Sequence, residues 1–352
     1  MQLRLAREHK NTIILEYSKL ITGKHMSDSS SANTTASRRL QHFPVAFFAM
    51  VMGTLGLTLA WQKSAHVLAL PSIISHVLLI VSATIFAVIV SVYLLKTIRH
   101  APEVIAEFNH PIKMSFFPAF SIGIILTSIA TLEVSSELSR FLWVLGSTLQ
   151  LIFTLNVLTR WIHHQHFQVA HSTPAWFIPV VGNILVPISG VEHGFYEISW
   201  LFFSIGIIYW IILKTLIFNR IIFHDPLPEK LLPTLFILIA PPAVGFLSYM
   251  KLNHDVVDGF ARILYYTAAF LVLLLMTQFS RFLRIQFFMS WWAYSFPLAA
   301  FTIASLVMYA RTGSPGFATI SYLMLTIVSL VVSILLYKTI KAIISGNVFK
   351  PD

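Results

Sequence analysis

Cysteine is absent from this sequence, which removes disulfides, thiolate nucleophiles, Cys-ligated zinc and iron–sulfur clusters from consideration. Charge is scarce too: Asp, Glu, Lys and Arg make up 11% of the 352 residues, and 14 residues are acidic. There is no Walker-type phosphate loop and no nucleophile elbow, so neither ATP-driven work nor serine-hydrolase chemistry is expected within this chain.

What fills the sequence is apolar: 57% is hydrophobic and the mean hydropathy is +0.78, a composition that water does not dissolve. A helix needs about 20 apolar residues to cross a hydrocarbon core of about 30 Å, so the apolar content caps the number of spans at about ten and excludes a large extramembrane domain. Apolar stretches fall at 44–61, 71–95, 114–132, 138–159, 174–190, 196–218, 231–250, 263–279, 286–309 and 317–337. The expected fold is therefore an all-α polytopic membrane protein of ten transmembrane helices, because a helix satisfies its own backbone in lipid. Residues 43–340 form this body, flanked by a polar N-terminal segment, 1–42, expected to be disordered, and a short tail, 341–352. The N-terminal apolar patch at 12–15 is too short for a signal peptide, and Met26, opening the polar run before the first span, competes with Met1 as the start.

Ten spans put both termini on one side. The termini and the loops after even-numbered spans hold most of the 24 lysines and arginines, among them Arg38, Arg39, Lys96, Arg99, Lys113, Lys214, Arg220, Arg281, Arg284 and Lys341. That bias predicts cytoplasmic termini in a cell inner (plasma) membrane, and accounts for most of the +10 net charge without nucleic acid.

Proline marks a repeat. Pro44, Pro118, Pro179, Pro241 and Pro297 fall in the five odd-numbered spans at a period of about 60 residues, whereas the even spans have none in their interiors. Interior proline frees a carbonyl that lipid cannot satisfy, so helices broken this way are expected inside the protein or along a watery path. The chain thus reads as five helical hairpins, with the odd helices lining a central pore. Gly53, Ser121, Gly182, Gly245 and Ser295 lie on those helices and suit either the pore wall or close helix packing.

No acidic residue, lysine or arginine lies mid-span, which disfavours tight ion coupling and cation conduction and leaves a neutral path for small anions. His163, His164, His166 and His171 crowd one loop with no carboxylate beside them, a poor metal centre; no metal or cofactor is expected.

The first span, Phe43-Pro44-Val45 through Met52-Gly53-Thr54-Leu55-Gly56 with Ala60-Trp61, resembles the opening signature of the tellurite-resistance/dicarboxylate transporter family. Trp291-Trp292-Ala293-Tyr294-Ser295-Phe296-Pro297 in the ninth span resembles it more closely, and Phe177-Ile178-Pro179 and Ala240-Pro241 fall where its fifth and seventh helices carry proline. That family includes a bacterial tellurite-resistance channel, plant slow anion channels, and yeast malate and sulfite transporters. The resemblance implies a quasi-fivefold arrangement of hairpins, a homotrimer with one pore per subunit, and a phenylalanine gate, which by motif is Phe296. An anion channel or exporter, and not an enzyme, is the expected function. A C4-dicarboxylate or sulfite carrier, possibly proton-linked, is the alternative, and a membrane enzyme a weaker one.

Overall fold

The computed structural model describes residues 39–163 and 167–349. The chain divides into two compact units. Residues 39–44 and 343–349 belong to the smaller one, where the Phe43 and Phe349 rings stack with centroids 6.4 Å apart and Arg39 lies over Phe349. The segment 1–38, expected to be disordered, and His164 and His166 lie outside the described residues.

Val45–Ala342 is a helical body without strands among the described residues. Its helices are α1 (Phe48–Leu68), α2 (Ser72–Arg99), α3 (Ala101–Asn109), α4 (Pro118–Thr131), α5 (Ser136–His163), α6 (Ile178–Gly190), α7 (Tyr196–Phe223), α8 (Ala240–Leu252), α9 (Gly259–Met276), α10 (Phe279–Leu283), α11 (Ser295–Thr312) and α12 (Pro315–Ile344). Counting the 3₁₀ turns that lead into some of them, nine segments among the described residues are long and apolar enough to cross a membrane. A shorter one, Pro174–Gly190, is the fifth in order. The protein is a polytopic membrane protein.

Burial divides these segments into two classes. The long spans built on α1, α4, α8 and α11 are 72–83% buried in their apolar windows, whereas those on α2, α5, α7, α9 and α12 are 11–39% buried. Every residue of α6 from Ile178 to Pro187 is buried as well. The outer helices show Ile73, Ile80, Phe141, Leu201, Phe270 and Leu323 on their outward faces, as a lipid-facing surface requires. Neighbouring inner helices pack in chain order, α1 on α4, α4 on α6, α6 on α8 and α8 on α11, and α11 returns to α1.

Four of the five prolines lie inside the buried spans, where the helix type changes. Each inner helix is preceded by a 3₁₀ segment: Val45–Phe47, Lys113–Phe116, Pro174–Phe177, Glu229–Ile239 and Met289–Tyr294. Pro118, Pro179, Pro241 and Pro297 then sit in the first turn of the α-helix that follows, and Pro44 closes the smaller unit one residue before the first 3₁₀ turn. Proline lacks an N–H and holds φ at about −65°, and these four stand where a 3₁₀ segment passes into an α-helix inside a buried span. Pro187 is the one inside an inner α-helix.

Candidate functional site

Two cavities lie inside the body. The wide one, about 520 Å³, has walls from all five inner helices: Gly56, Leu59, Lys63 and His66 of α1, Leu126 and Ile129 of α4, Leu185 and Ile188 of α6, Val244, Leu247 and Lys251 of α8, and Ala300, Ile303, Val307 and Arg311 of α11. These positions recur at three- and four-residue steps, so each inner helix turns one stripe toward the cavity. The narrow one, about 40 Å³, lies toward the 3₁₀ segments and is walled by Ala49, Met52, Val181, Ile237, Trp292 and Pro297, among others. Among the described residues, Phe296 is the side chain common to both walls, and it is 5% exposed.

Close packing of α1 on α11 sets the position of Phe296. A Cβ added to Gly56 would stand 3.1 Å from Ala299 Cβ and 3.3 Å from Phe296 Cδ2. One turn earlier, a Cβ on Gly53 would overlap the Ser295 hydroxyl. Ser295 donates to the Trp292 carbonyl at 2.6 Å, and Trp292 Nε1 donates to Thr339 Oγ1 at 2.9 Å, tying the turn before Phe296 to α12.

None of the five small or polar residues expected as possible pore lining is on either cavity wall. Gly53 and Ser295 meet each other across the α1–α11 seam. Ser121 donates to Gln150 Oε1 at 2.7 Å, Gly182 abuts the Gln150 amide, and Gly245 faces Ile207 of α7 and Leu264 of α9. They let neighbouring helices approach, which is the other use of small residues in membranes. Of the prolines, Pro297 alone reaches a cavity wall. The inner surface is therefore mostly Leu, Ile, Val, Ala and Phe.

Gln150 is the hub of the α4–α5–α6 contact. It accepts from Ser121 and donates to the Pro179 carbonyl at 2.7 Å, and that carbonyl also receives Thr154 Oγ1 and Asn183 Nδ2.

The wide cavity opens toward the turns that join inner to outer helices, and its mouth is charged. His66 Nε2 lies 2.9 Å from Glu133, Lys251 Nζ 2.5 Å from Glu192, and Arg311 Nη2 2.5 Å from Asp255. Asp255 is presented by two successive residues with positive φ, His254 (51°) and Asp255 (62°), an uncommon backbone for residues other than glycine. Asp258 caps α9 by accepting from Ala261 N–H at 2.9 Å, and this bond and the Tyr249 hydroxyl hold its carboxyl below the usual aspartate range. In the turn after α6, burial lowers the pKa of His193, whose Nε2 lies 2.9 Å from Ser139 Oγ.

The expected first span ends at Trp61, where polar residues begin, and so leaves out Lys63 and His66. The signal was present, since Gly56, Leu59, Lys63 and His66 follow a single helical stripe.

Comparison with known proteins supplies the family. The model of a family described as SLAC1, voltage-dependent anion channel, matches residues 42–340. The S-type anion channel SLAH3 of Arabidopsis thaliana is 27% identical over 322 residues, 89% of this chain and 50% of that protein. The S-type anion channel SLAH2 of the same plant is 27% identical over 274 residues, covering 76% of this chain and 53% of its own length. A tellurite resistance protein TehA homolog of Haemophilus influenzae is 25% identical over 301 residues, 85% of this chain and 91% of the relative. The chain spans about half the length of these two plant relatives. With a match that covers nearly the whole helical body, this chain belongs to the SLAC1 family of voltage-dependent anion channels.

Proposed function

We propose that the protein is an anion channel whose path runs through the two cavities and is closed between them by the Phe296 ring. The observation that carries this reading is that Phe296 lines both spaces, with the inner helices packed in a closed circuit around them. The path is walled chiefly by apolar side chains with no charge at the constriction, so a small anion crosses without being trapped by a fixed opposite charge. The narrow cavity offers no charged group among its lining residues to hold a dicarboxylate, which favours a channel over a carrier.

The same proposal includes quasi-fivefold pore helices, cytoplasmic termini in a plasma or inner membrane, and the homotrimer implied by the family resemblance. The wide cavity would then face outward, since its mouth lies at the turns opposite the basic loops. Reversal potentials of the reconstituted protein in a chloride gradient test it. A value near the chloride equilibrium potential is expected, and one near the cation potential, or saturable malate flux without current, would overturn it.

A further inference from the structure

We propose that Lys63 is the selectivity-determining cation of the wide cavity, drawing small monovalent inorganic anions such as chloride or nitrate into it ahead of the Phe296 constriction. This rests on the anion-channel reading and adds the residue that performs the selection.

Three cationic side chains of lysine or arginine line that cavity: Lys63, Lys251 and Arg311. Two of them are spoken for. Lys251 is paired with Glu192 and Arg311 with Asp255, both at 2.5 Å, while Glu133 is engaged by His66 at 2.9 Å. Lys63 makes no ion pair or hydrogen bond among the described residues, and it is half-buried on the cavity face of α1, one turn past Leu59 and one before His66. Among the described residues, Lys63 thus keeps its three N–H donors free of protein acceptors on the cavity wall.

Apolar walls lengthen the reach of that ammonium. Leu59, Leu126, Ile129, Leu132, Leu185 and Leu247 wall the same cavity, and low-dielectric walls focus the field of a charge into the aqueous space they enclose. An ammonium is a compact charge with three donors, able to replace part of an anion's water shell without a fixed fork geometry. Valence follows from the neighbours: Lys251 and Arg311 are each held by a carboxylate, so Lys63 is, among the described residues, the one lysine or arginine on that wall left to meet a singly charged anion.

The test is electrophysiological, on the full-length protein reconstituted in planar bilayers with potassium chloride gradients. Lys63→Gln is expected to lower the chloride-to-potassium permeability ratio by about threefold in dilute salt, and much less at 1 M, where the Debye length falls to about 3 Å. Lys63→Arg should keep the wild-type ratio. The cysteine-free background allows a rescue: in Lys63→Cys, attaching an aminoethyl group by methanethiosulfonate chemistry should restore the ratio, and a sulfonatoethyl group should depress it further. A wild-type ratio in Lys63→Gln at both salt concentrations, or equal effects of the two reagents, would overturn the assignment. A wild-type protein that itself lacks anion selectivity would overturn the channel reading, and this assignment with it.

Discussion

Gly56 of α1 and Phe296 of α11 face each other so closely that a Cβ on Gly56 would lie 3.3 Å from Phe296 Cδ2. The absence of a side chain on one helix sets where the ring on the other rests. Gly56→Ala must displace the ring or α11 by a few tenths of an ångström, and Ala299, 3.1 Å away, blocks retreat along the seam. We expect Gly56→Ala to raise resting current, and Gly56→Ala with Phe296→Ala to conduct like Phe296→Ala alone. Additive effects would mean that the two residues act independently.

Gly53 is more constrained. A Cβ there would run into the Ser295 side chain and the Trp292 ring, whose indole is fixed by Thr339. Overpacking of this kind typically destabilises by about 1–3 kcal/mol. Gly53→Ala should therefore lower the thermal midpoint in detergent further than Gly56→Ala, and an unchanged midpoint would show that the α1–α11 seam yields freely.

Gln150 is fully buried and bridges α4 to α6 through Ser121 and the Pro179 carbonyl. Gln150→Leu removes both bonds, but the Pro179 carbonyl keeps Thr154 and Asn183 and the Ser121 hydroxyl keeps the Pro118 carbonyl, so a loss of only about 1 kcal/mol is expected. Chemical unfolding in mixed micelles measures it. Because the network faces away from both cavities, the chloride-to-potassium ratio should not move.

The α2–α3 corner holds a buried ion pair. Lys96 is 1% exposed and lies 3.0 Å from Glu107, which also accepts from the Tyr93 hydroxyl at 2.9 Å. Glu107→Gln removes the charge that balances the buried ammonium, so it should destabilise by about 3 kcal/mol, whereas Lys96→Met with Glu107→Gln should recover most of it. Equal losses in the single and double variants would show that the pair contributes packing rather than charge.

His193 gives a pH dependence with a definite sign. Burial, and Arg140 nearby, favour the neutral ring in the folded protein, against the weaker opposing pull of Glu192. The folded pKa lies below the unfolded value of about 6.5, so the unfolded chain takes up protons first. Stability is then intact above about pH 6.5, falls as the pH drops through that value, and levels off below the folded pKa. His193→Gln should flatten this part of the midpoint-versus-pH curve, and a slope identical to wild type would remove His193 as its source.

The spans were legible because hydropathy and length are enough to identify them: the expected 174–190 and 196–218 stand against Pro174–Gly190 and Tyr196–Phe223. So was the inner and outer division, which proline marked correctly for an imperfect reason. Pro118, Pro179, Pro241 and Pro297 stand where a 3₁₀ segment passes into an α-helix, and hydropathy cannot show this because it does not distinguish a 3₁₀ turn from an α turn. The direction each inner helix faces was not legible, since Gly182 and Ser121 suit a pore wall and a helix contact equally until Gln150 is placed beside them. Helix α3 falls between two expected spans because its nine residues are too few to register as one.

The most direct measurement is the macroscopic chloride current of equal amounts of reconstituted wild type and Phe296→Ala. Removing the ring joins the two cavities, and we expect current to rise by about tenfold, equivalent to about 1.4 kcal/mol off the barrier to permeation, with anion selectivity kept. Unchanged current in a folded Phe296→Ala protein would contradict the assignment of Phe296 as the barrier between the two cavities.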